Sequence, residues 1–525
     1  MKKYAKGRAV GPKVKTLAVL AFALASGHAA AFSIDTGNPD IDMRWDNTVR
    51  YNIGLRAQRA NADLADPGSI QAGSDSKFRN TGEIITNRVD LMSEFDMVYK
   101  KDYGFRISGT GWYDSAYSDT NDGLGVPYSN YTRRWNKGPS ADLLDAFVFG
   151  KIDAGHIPIN VKVGQHNIFW GESLFTLSDS IAYAQGPVDL RKALANPGTE
   201  AKELFLPTPQ ISAVSQVTPD LTLGTYMMLD WSPSRLPDGG TYFGSMDTFS
   251  LGGSSVFSSK RVQPHNIGDW GVMTRYSPDW LDGTAGLYFR RLSERLPWAM
   301  FNMGSGGAPL SFNYAGNVNL YGISFAKQVA GMSLATEISY RQNTALISNA
   351  ALSAEGARGD TFHALVNGMA YFGKNPLWDS ASLMAELTYQ HWIRATSNAD
   401  LFNSCSVAGS NKWNGCATKN AVGINLALEP VWYQVVPGVD LKAPINFGMG
   451  LSGNEATLGG GHQGNGTYSL GLTAEVRNQY IFKLAYNGYL GHYNTTNGLY
   501  VGSDNTGGAV YSDRNWVSLT FTSTF

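Results

Sequence analysis

Apolar and polar residues alternate one by one in many short segments of this chain. Between Met43 and Ala57 most odd positions are apolar or aromatic, and most even positions are polar or charged. The same alternation returns in residues 88–99, 221–231, 381–390, 441–449, 468–477 and 514–525. Successive side chains of a β-strand point to opposite faces, so this period of two predicts strands with one apolar and one polar face.

The connections between these segments alternate between short and long. Eight are short, and several carry turn residues such as Pro219-Asp220 and Pro437-Gly438. Nine are long and polar, and they lie around residues 58–85, 118–142, 170–208, 233–267, 295–315, 344–359, 398–417, 452–465 and 493–513. Together they join about eighteen strands, with sixteen or fourteen as alternatives. The alternation is typical of a transmembrane antiparallel β-barrel, so we predict an all-β fold with long exterior loops and short periplasmic turns.

The two faces of the strands can be assigned from the size of such a barrel. Sixteen to eighteen strands enclose a lumen too wide for side chains to fill, so the polar face must line water and the apolar face must meet lipid. Beyond the N-terminal segment, no run of eighteen apolar residues could form a membrane-crossing helix. The predicted lumen wall carries charged residues from the first strands: Arg44, Asp46, Arg50, Arg88, Asp90, Glu94 and Arg106.

The first residues have the organisation of a secretory signal peptide. Six basic residues precede an apolar run over residues 17–25, and Ala29-Ala30-Ala31 offers small side chains for cleavage before Phe32. An apolar run of this length cannot cross a membrane, which needs about twenty residues. We therefore predict a removed signal peptide over residues 1–31 and a β-barrel over residues 32–525, located in the outer membrane of a Gram-negative bacterium.

Charge and the C-terminal residue indicate the partners. Without the six basic residues of the signal, the formal net charge moves from −1 to about −7, and no contiguous basic patch remains for nucleic acid. The chain ends on Phe525 in a period-two strand. Such an ending resembles the signal by which the barrel-assembly machinery recognises outer-membrane proteins. We expect that machinery and outer-membrane lipids as partners.

The third long connection departs from the alternating pattern. It is rich in large apolar residues, whose burial is favourable by roughly 1.5–3 kcal/mol each, so we expect residues 170–208 to fold into the lumen. The segments 187–194 and 199–206 each predict a short helical turn. Folded inward, the loop would form a constriction along the substrate path: Trp170, Glu172, Ser173, Asp189, Arg191, Glu200, Lys202 and Glu203. Alternatively, these charges merely pin the loop to the wall.

Other candidate chemistry is sparse. Cys405 and Cys416 are the two cysteines, and we predict a disulfide between them in an exterior loop, formed after oxidation in the periplasm. Metal binding would need more ligands than these, so neither a metal nor a cofactor is expected. Glu172-Ser173 lacks the Gly-x-Ser-x-Gly elbow of serine hydrolases, which argues against an enzyme.

The third loop resembles a known family through three stretches of sequence. These are the Trp170-Gly171-Glu172-Ser173 run, the Pro187-Val188-Asp189 step, and the stretch from Pro197 to Pro207 with its Pro-Gly-x-Glu-x-Lys-Glu pattern. They look like the central signature of the proteobacterial outer-membrane family of unknown function DUF1302, and the resemblance covers nearly all of the chain after the signal. It implies a barrel that occurs beside a periplasmic or lipoprotein partner and an inner-membrane efflux-type pump, among genes for handling steroids and terpenoids.

Two hypotheses follow. The first is an outer-membrane channel for small, hydrophobic molecules, such as steroid-, terpenoid- or lipid-like cargo, which pass through a lumen constricted by the third loop. The second is a non-conducting scaffold or adaptor that docks a periplasmic lipoprotein and an efflux-type pump.

Overall fold

The computed structural model describes residues 32–65, 72–195, 201–244, 249–250, 257–264, 267–301, 310–349, 351–496, 499–502 and 510–525. The predicted signal peptide, residues 1–31, lies outside the described residues. The strands in chain order are β1 Phe32–Ile34, β2 Ile41–Arg56, β3 Ile84–Tyr99, β4 Tyr103–Asp114, β5 Ser140–Ala154, β6 Ile157–His166, β7 Thr208–Thr218, β8 Leu221–Met228, β9 Phe249–Ser250, β10 Phe257–Val262, β11 Trp270–Tyr276, β12 Thr284–Leu292, β13 Trp298–Phe301, β14 Leu310–Asn313, β15 Val318–Val329, β16 Met332–Ala345, β17 Arg358–Phe372, β18 Ser380–Ser397, β19 Asn420–Val436, β20 Val439–Lys442, β21 Ile445–Ser452, β22 Gly466–Val476, β23 Tyr480–Leu490, β24 Tyr493–Thr496, β25 Leu499–Gly502 and β26 Trp516–Thr524.

Eighteen strand positions form a closed antiparallel barrel. Each barrel strand pairs with the next one along the chain, and β26 pairs with β2, from Thr48 opposite Thr524 to Arg56 opposite Trp516, which closes the cylinder. The strands β20 and β21 share one position because Pro444, which has no N–H for the ladder, separates them. The predicted number of strands and the predicted closure by the C-terminal strand are confirmed.

The remaining strands lie outside the barrel wall. The strand β1 pairs with the start of β2, and β24 pairs with β25. A small sheet in the order β13-β14-β10-β9 joins two of the long loops.

The connections alternate as the sequence predicts. Short turns lie at one end of the barrel, at residues 100–102, 155–156, 219–220, 277–283, 330–331, 373–379, 437–438 and 477–479. Long loops lie at the other end: L1 (57–83), L2 (115–139), L3 (167–207), L4 (229–269), L5 (293–317), L6 (346–357), L7 (398–419), L8 (453–465) and L9 (491–515). The end with the short turns is the predicted periplasmic end.

In the part of the chain that the structure describes, helices occur only as short segments of the loops and turns. They are α1 Ala62–Ala65 and α2 Ala72–Lys77 in L1, α3 Asn130–Thr132 in L2, and α4 Leu190–Ala195 and α5 Ala201–Leu204 in L3, together with a π-helical turn at Arg133–Lys137 and 3₁₀ turns at Ser115–Tyr117, Asp279–Leu281, Ala399–Leu401 and Lys412–Asn414. The helices α4 and α5 confirm the two helical turns predicted for the third loop. None of the helices in the described ranges is both long and apolar enough to cross a membrane.

The barrel wall has an apolar outer face and a polar inner face. Outward side chains remain exposed, for example Leu287 at 61% and Leu470 at 54%. The polar neighbours that alternate with them point inward, and many are buried, such as Arg50, Asp90 and Arg290. An apolar band around a polar interior is the arrangement of barrels that stand in lipid.

The long loops pack against each other over the exterior end of the barrel. One cluster joins L1, L2, L4 and L9 and includes Phe78, Tyr117, Tyr242 and Tyr511. A second cluster joins L5 to L8 and includes Trp298, Ile347, Phe402 and Leu458. These two clusters form a layer that we call the exterior cap.

A buried ionic network ties the exterior cap to the barrel seam. Arg56 of β2 contacts Asp75 of L1 at 2.9 Å and Asp513 of L9 at 3.0 Å, and Arg514 contacts Asp75 at 3.4 Å. These side chains are almost completely buried. Truncating one member would leave a buried charge without its partner, so the network holds L1 and L9 together over the point where the first and last strands meet.

Candidate functional site

The loop L3 lies inside the barrel, because its side chains contact inward residues on walls that face each other. Its first half, residues 167–186, begins at the wall of β8, β11 and β12. There the ring of Trp170 packs edge-on against Tyr226, with ring centroids 4.9 Å apart, and near Tyr288. Gly271 permits this approach, since a Cβ there would lie 2.9 Å from the Trp170 ring. Trp170 is therefore buried and anchors the loop.

Two wall carboxylates hold the next turn of L3 through its backbone. The Glu386 carboxylate of β18 accepts the N–H groups of Leu174 at 2.7 Å, Phe175 at 3.2 Å and Thr176 at 2.7 Å. Glu386 also accepts the Ser173 hydroxyl at 3.1 Å.

The second carboxylate belongs to Glu337 of β16. It accepts the N–H groups of Glu172, of Ser173 at 2.9 Å and of Ile181 at 2.7 Å. Both carboxylates are almost fully buried, and no Lys or Arg lies within ion-pair distance of either in the described residues. Backbone donors of L3 therefore supply the compensation that a buried charge requires.

Residues 179–183 of L3 are tied into a polar network. Asp179 lies 2.8 Å from Nδ1 of His363, whose Nε2 lies 2.8 Å from the Thr361 hydroxyl. This is the carboxylate–imidazole–hydroxyl order of hydrolase triads. All three side chains are buried, with relative exposures of 1% or less.

Arginines complete the same network. The Arg290 guanidinium of β12 donates to the carbonyl oxygens of Ile181 at 2.5 Å and Tyr183 at 2.8 Å. The Arg341 guanidinium of β16 stacks 3.8 Å from the centre of the Tyr183 ring, and the Tyr183 hydroxyl donates to Glu294. A Cβ at Gly322 would lie 2.8 Å from Ile181, so this glycine also admits the loop.

The second half of L3 is fastened to the opposite wall by ion pairs. Glu203 of α5 contacts Arg50 of β2 at 2.5 Å and Lys192 of α4 at 3.3 Å. Asp189 contacts Arg191 at 2.6 Å and Arg235 of L4 at 3.6 Å. Except for Arg235, these side chains are at most 3% exposed, so each charge depends on its partners for stabilisation.

The predicted constriction residues fall into two groups in the structure. Trp170, Asp189, Arg191 and Glu203 are buried, where they fasten the loop. Glu172, Ser173 and Lys202 are partly exposed, and Glu200 lies outside the described residues.

The predicted lumen-wall charges are likewise divided between L3 and the wall itself. Arg50 pairs with Glu203, and Glu94 pairs with Lys202 of L3. The others pair within the wall: Arg44 with Asp46 at 2.6 Å, Arg88 with Asp90 at 2.8 Å, and Arg106 with Asp96 at 2.6 Å.

Sequence reasoning missed the wall residues that hold the first half of L3. Glu337, Glu386, Arg290 and Arg341 lie on later strands, more than 100 positions away from the loop residues that they contact. Each lies at a polar position of a strand in which apolar and polar residues alternate. This position indicates that the side chain points inward, but it does not identify the L3 residue that it contacts.

L3 also carries apolar side chains that remain exposed. Phe169 is 55% exposed and Leu174 is 37% exposed, although both belong to a loop that is surrounded by a polar wall. Phe169 packs edge-on against Phe205, with ring centroids 4.7 Å apart. L3 therefore combines fixed charges with an exposed aromatic and aliphatic surface.

Three further features concern the ends and the chemistry of the chain. Cys405 and Cys416 are joined by a disulfide in L7. The backbone of Phe525 exchanges two hydrogen bonds with Asn47, of 2.7 and 2.8 Å. Among the residues that the structure describes, no three His, Cys, Asp or Glu side chains are placed to hold a metal ion.

Several solved barrels resemble this one. The outer membrane channel DcaP of Acinetobacter baumannii shares 11% identity, covering 95% of this chain and 100% of that chain, with a TM-score of 0.40. OccAB2 of Acinetobacter baumannii shares 11%, covering 95% and 99%, with a TM-score of 0.44. OccD3 (OpdP) of Pseudomonas aeruginosa shares 13%, covering 92% and 91%, with a TM-score of 0.41. No curated protein matches the sequence. The chain belongs to the family described as protein of unknown function (DUF1302), whose model matches residues 13–525.

Proposed function

We propose that this protein is an outer-membrane channel of a Gram-negative bacterium, through which small, hydrophobic molecules pass along L3. The observation that carries the proposal is the exposure of Phe169 and Leu174 on a loop fastened inside a polar barrel. A loop that served only as a plug would gain by burying these side chains, at roughly 1.5–3 kcal/mol for each that is fully buried. Their exposure supports a surface that an apolar cargo contacts in passage.

The fastening of L3 supports a fixed constriction. Ion pairs hold its second half to β2 and β3, and the carboxylates of Glu337 and Glu386 hold its first half to β16 and β18. Because the loop spans the lumen between these walls, cargo must pass beside it. The protein would then act by selective passage, without chemical conversion of its cargo.

The conductance of the purified protein in planar bilayers tests the constriction. Deletion of residues 171–206 should raise the small single-channel conductance, because the lumen would lose its obstruction. The deletion also strips the buried wall charges of their partners, so the variant E337Q/E386Q, which keeps the whole chain, provides an independent test. Unchanged conductance in both folded variants would refute the constriction.

Cargo selectivity needs a second measurement. In a porin-depleted host, expression of the protein should increase uptake of a labelled steroid, and the variant F169S/L174S should lower that increase. Uptake of a sugar should respond little to the same variant. Equal steroid uptake by F169S/L174S and the unaltered chain would contradict an apolar route.

The exterior cap favours a second candidate function, a non-conducting scaffold or adaptor for a periplasmic lipoprotein and an inner-membrane efflux-type pump. Its two packed clusters, around Tyr242 and around Trp298, cover the exterior end of the barrel and would oppose free passage. A strain that lacks the protein distinguishes the two functions. Normal steroid uptake with a defective envelope would favour the adaptor, and reduced uptake with an intact envelope would favour the channel.

A further inference from the structure

A cavity of about 680 Å³ opens beneath L3 at the end of the barrel that carries the short turns. Its lining includes Glu172 and Leu174 of L3, Ala326 of β15, Ala335 of β16, and Asn367 and Met369 of β17. Its volume lies within the roughly 300–1,000 Å³ of small-molecule sites. We call it the vestibule.

Several polar groups around the vestibule are paired with each other. The Ser277 and Thr284 hydroxyls lie 2.9 Å apart, and the Gln328 amide donates to Ser333. The ammonium group of Lys327 pairs with Asp282 at 3.2 Å. A ligand that brings only acceptors would compete with these contacts for the same donor groups.

Two acceptors at the inner end of the vestibule remain available. Oε1 of Glu172 accepts from Arg275 at 3.1 Å, and no hydrogen bond reaches Oε2 from the described residues. The Asn367 amide nitrogen donates to the Glu172 carbonyl oxygen at 2.7 Å and to Glu386 at 3.3 Å, whereas its Oδ1 has no donor in the described ranges. The vestibule therefore offers acceptors beside the apolar side chains of Leu174 and Met369.

From this arrangement we propose that the vestibule binds small amphiphilic molecules whose apolar body carries a hydrogen-bond donor, cationic amines before neutral alcohols, and that it rejects carboxylates. The apolar body lies against Leu174 and Met369, and the donor faces Oε2 of Glu172 and Oδ1 of Asn367. The proposal rests on the proposed function, since it names the class of cargo that collects below L3 on the periplasmic side.

Three probes that share the adamantane hydrocarbon cage distinguish amines, alcohols and carboxylates as ligands. They are 1-aminoadamantane, 1-adamantanol and 1-adamantanecarboxylate. Isothermal titration of the protein in lipid nanodiscs should give the tightest binding for the amine and the weakest for the carboxylate. The amine probe carries one positive charge and the carboxylate probe one negative charge. Beside the partly buried carboxylate of Glu172, this difference corresponds to about a tenfold or greater ratio between their dissociation constants. Empty nanodiscs supply the background for partition into lipid.

Variants assign the preference to its residues. E172Q should reduce the ratio between amine and carboxylate to about threefold or less, because the charge at the acceptor is gone. L174S should weaken all three probes by a similar factor. E475Q is the matched control, since Glu475 pairs with Lys442 at 2.7 Å on the wall of β22 and β20, outside the vestibule, and it should leave the ratio unchanged.

The titration of the unaltered chain decides the proposal even if a variant fails to fold. Equal or tighter binding of the carboxylate, or no binding of any probe, would overturn it. Binding in nanodiscs does not require conduction, so the two ideas fail separately. If the protein binds the amine but deletion of L3 leaves its conductance unchanged, the channel proposal is refuted and the vestibule proposal is not. If deletion of L3 raises the conductance but the protein does not bind the amine, the vestibule proposal alone is refuted.

Discussion

The hydrogen bonds that L3 donates to the Glu386 carboxylate give the most specific prediction. The substitution Glu386→Gln keeps the size of the side chain and removes its charge. It also replaces one acceptor oxygen by an amide NH₂ that faces backbone donors. We expect residues 174–176 to detach from the wall while the barrel stays folded, because the hydrogen-bonded strands of the wall do not depend on this side chain.

The expected cost can be worked from the contacts. Glu386 accepts the N–H groups of Leu174, Phe175 and Thr176 at 2.7–3.2 Å. A hydrogen bond to a charged group contributes about 1.5–3 kcal/mol and a neutral one about 0.5–1.5 kcal/mol, so three bonds lose about 3 kcal/mol together. One N–H that meets the new NH₂ group adds about 1 kcal/mol more if water does not replace the bond. A loss of about 3–4 kcal/mol raises the open population of this turn by about 10²–10³-fold.

Hydrogen exchange in nanodiscs measures this population directly, because an amide exchanges when its bond opens. In E386Q the amides of Leu174 and Thr176 should exchange about 100-fold faster or more. E337Q should instead expose the amides of Ser173 and Ile181, and E475Q should change neither set. Exchange at Leu174 and Thr176 within threefold of the unaltered protein would refute the reasoning.

Three further predictions concern other parts of the chain. Glu203→Gln removes the charged partner of the buried Lys192 at a cost of roughly 3–5 kcal/mol, so the Ala193 amide, which donates to the Asp189 carbonyl oxygen in α4, should exchange faster in E203Q than in the unaltered chain. Burial, together with the nearby charge of Asp179, raises the pKa of the Glu455 carboxyl in L8 well above its usual value. The folded state then binds the extra proton, so the melting temperature should fall as pH rises above about 4.5, and this slope should flatten in E455Q. Deletion of Phe525 removes two backbone bonds to Asn47, and the folded fraction on unheated gels should drop; normal assembly would contradict the assigned role of the last residue.

The barrel could be predicted from the sequence because its main signal is local. A strand with one lipid face and one wet face repeats every two residues, so Leu91 and Asp90 reveal their opposite orientations through their neighbours alone. The inward course of L3 was predictable for a similar reason, since its apolar content needed burial.

The partners of L3 were predictable only in part. One hypothesis from the sequence was that the charges of L3 pin the loop to the wall, and Glu203 and Lys202 lie against Arg50 and Glu94. The positions of Glu337 and Glu386 depend instead on how the barrel curves round to face the loop. The alternation of apolar and polar residues does not show which inward position of a later strand lies opposite L3, because all inward positions of these strands have the same pattern.

The two halves of L3 are held to the wall by different kinds of interaction, and this difference indicates which half can move. The second half is held by pairs of opposite charges, such as Glu203 with Arg50, and separating such a pair leaves two buried ions without compensation. The first half is held by Glu337 and Glu386, whose charges meet neutral backbone donors. Opening this half lets water hydrate the carboxylates and the N–H groups alike, so it costs less. We therefore expect L3 to open first at residues 172–176, at the roof of the vestibule, while α4 and α5 remain on the wall.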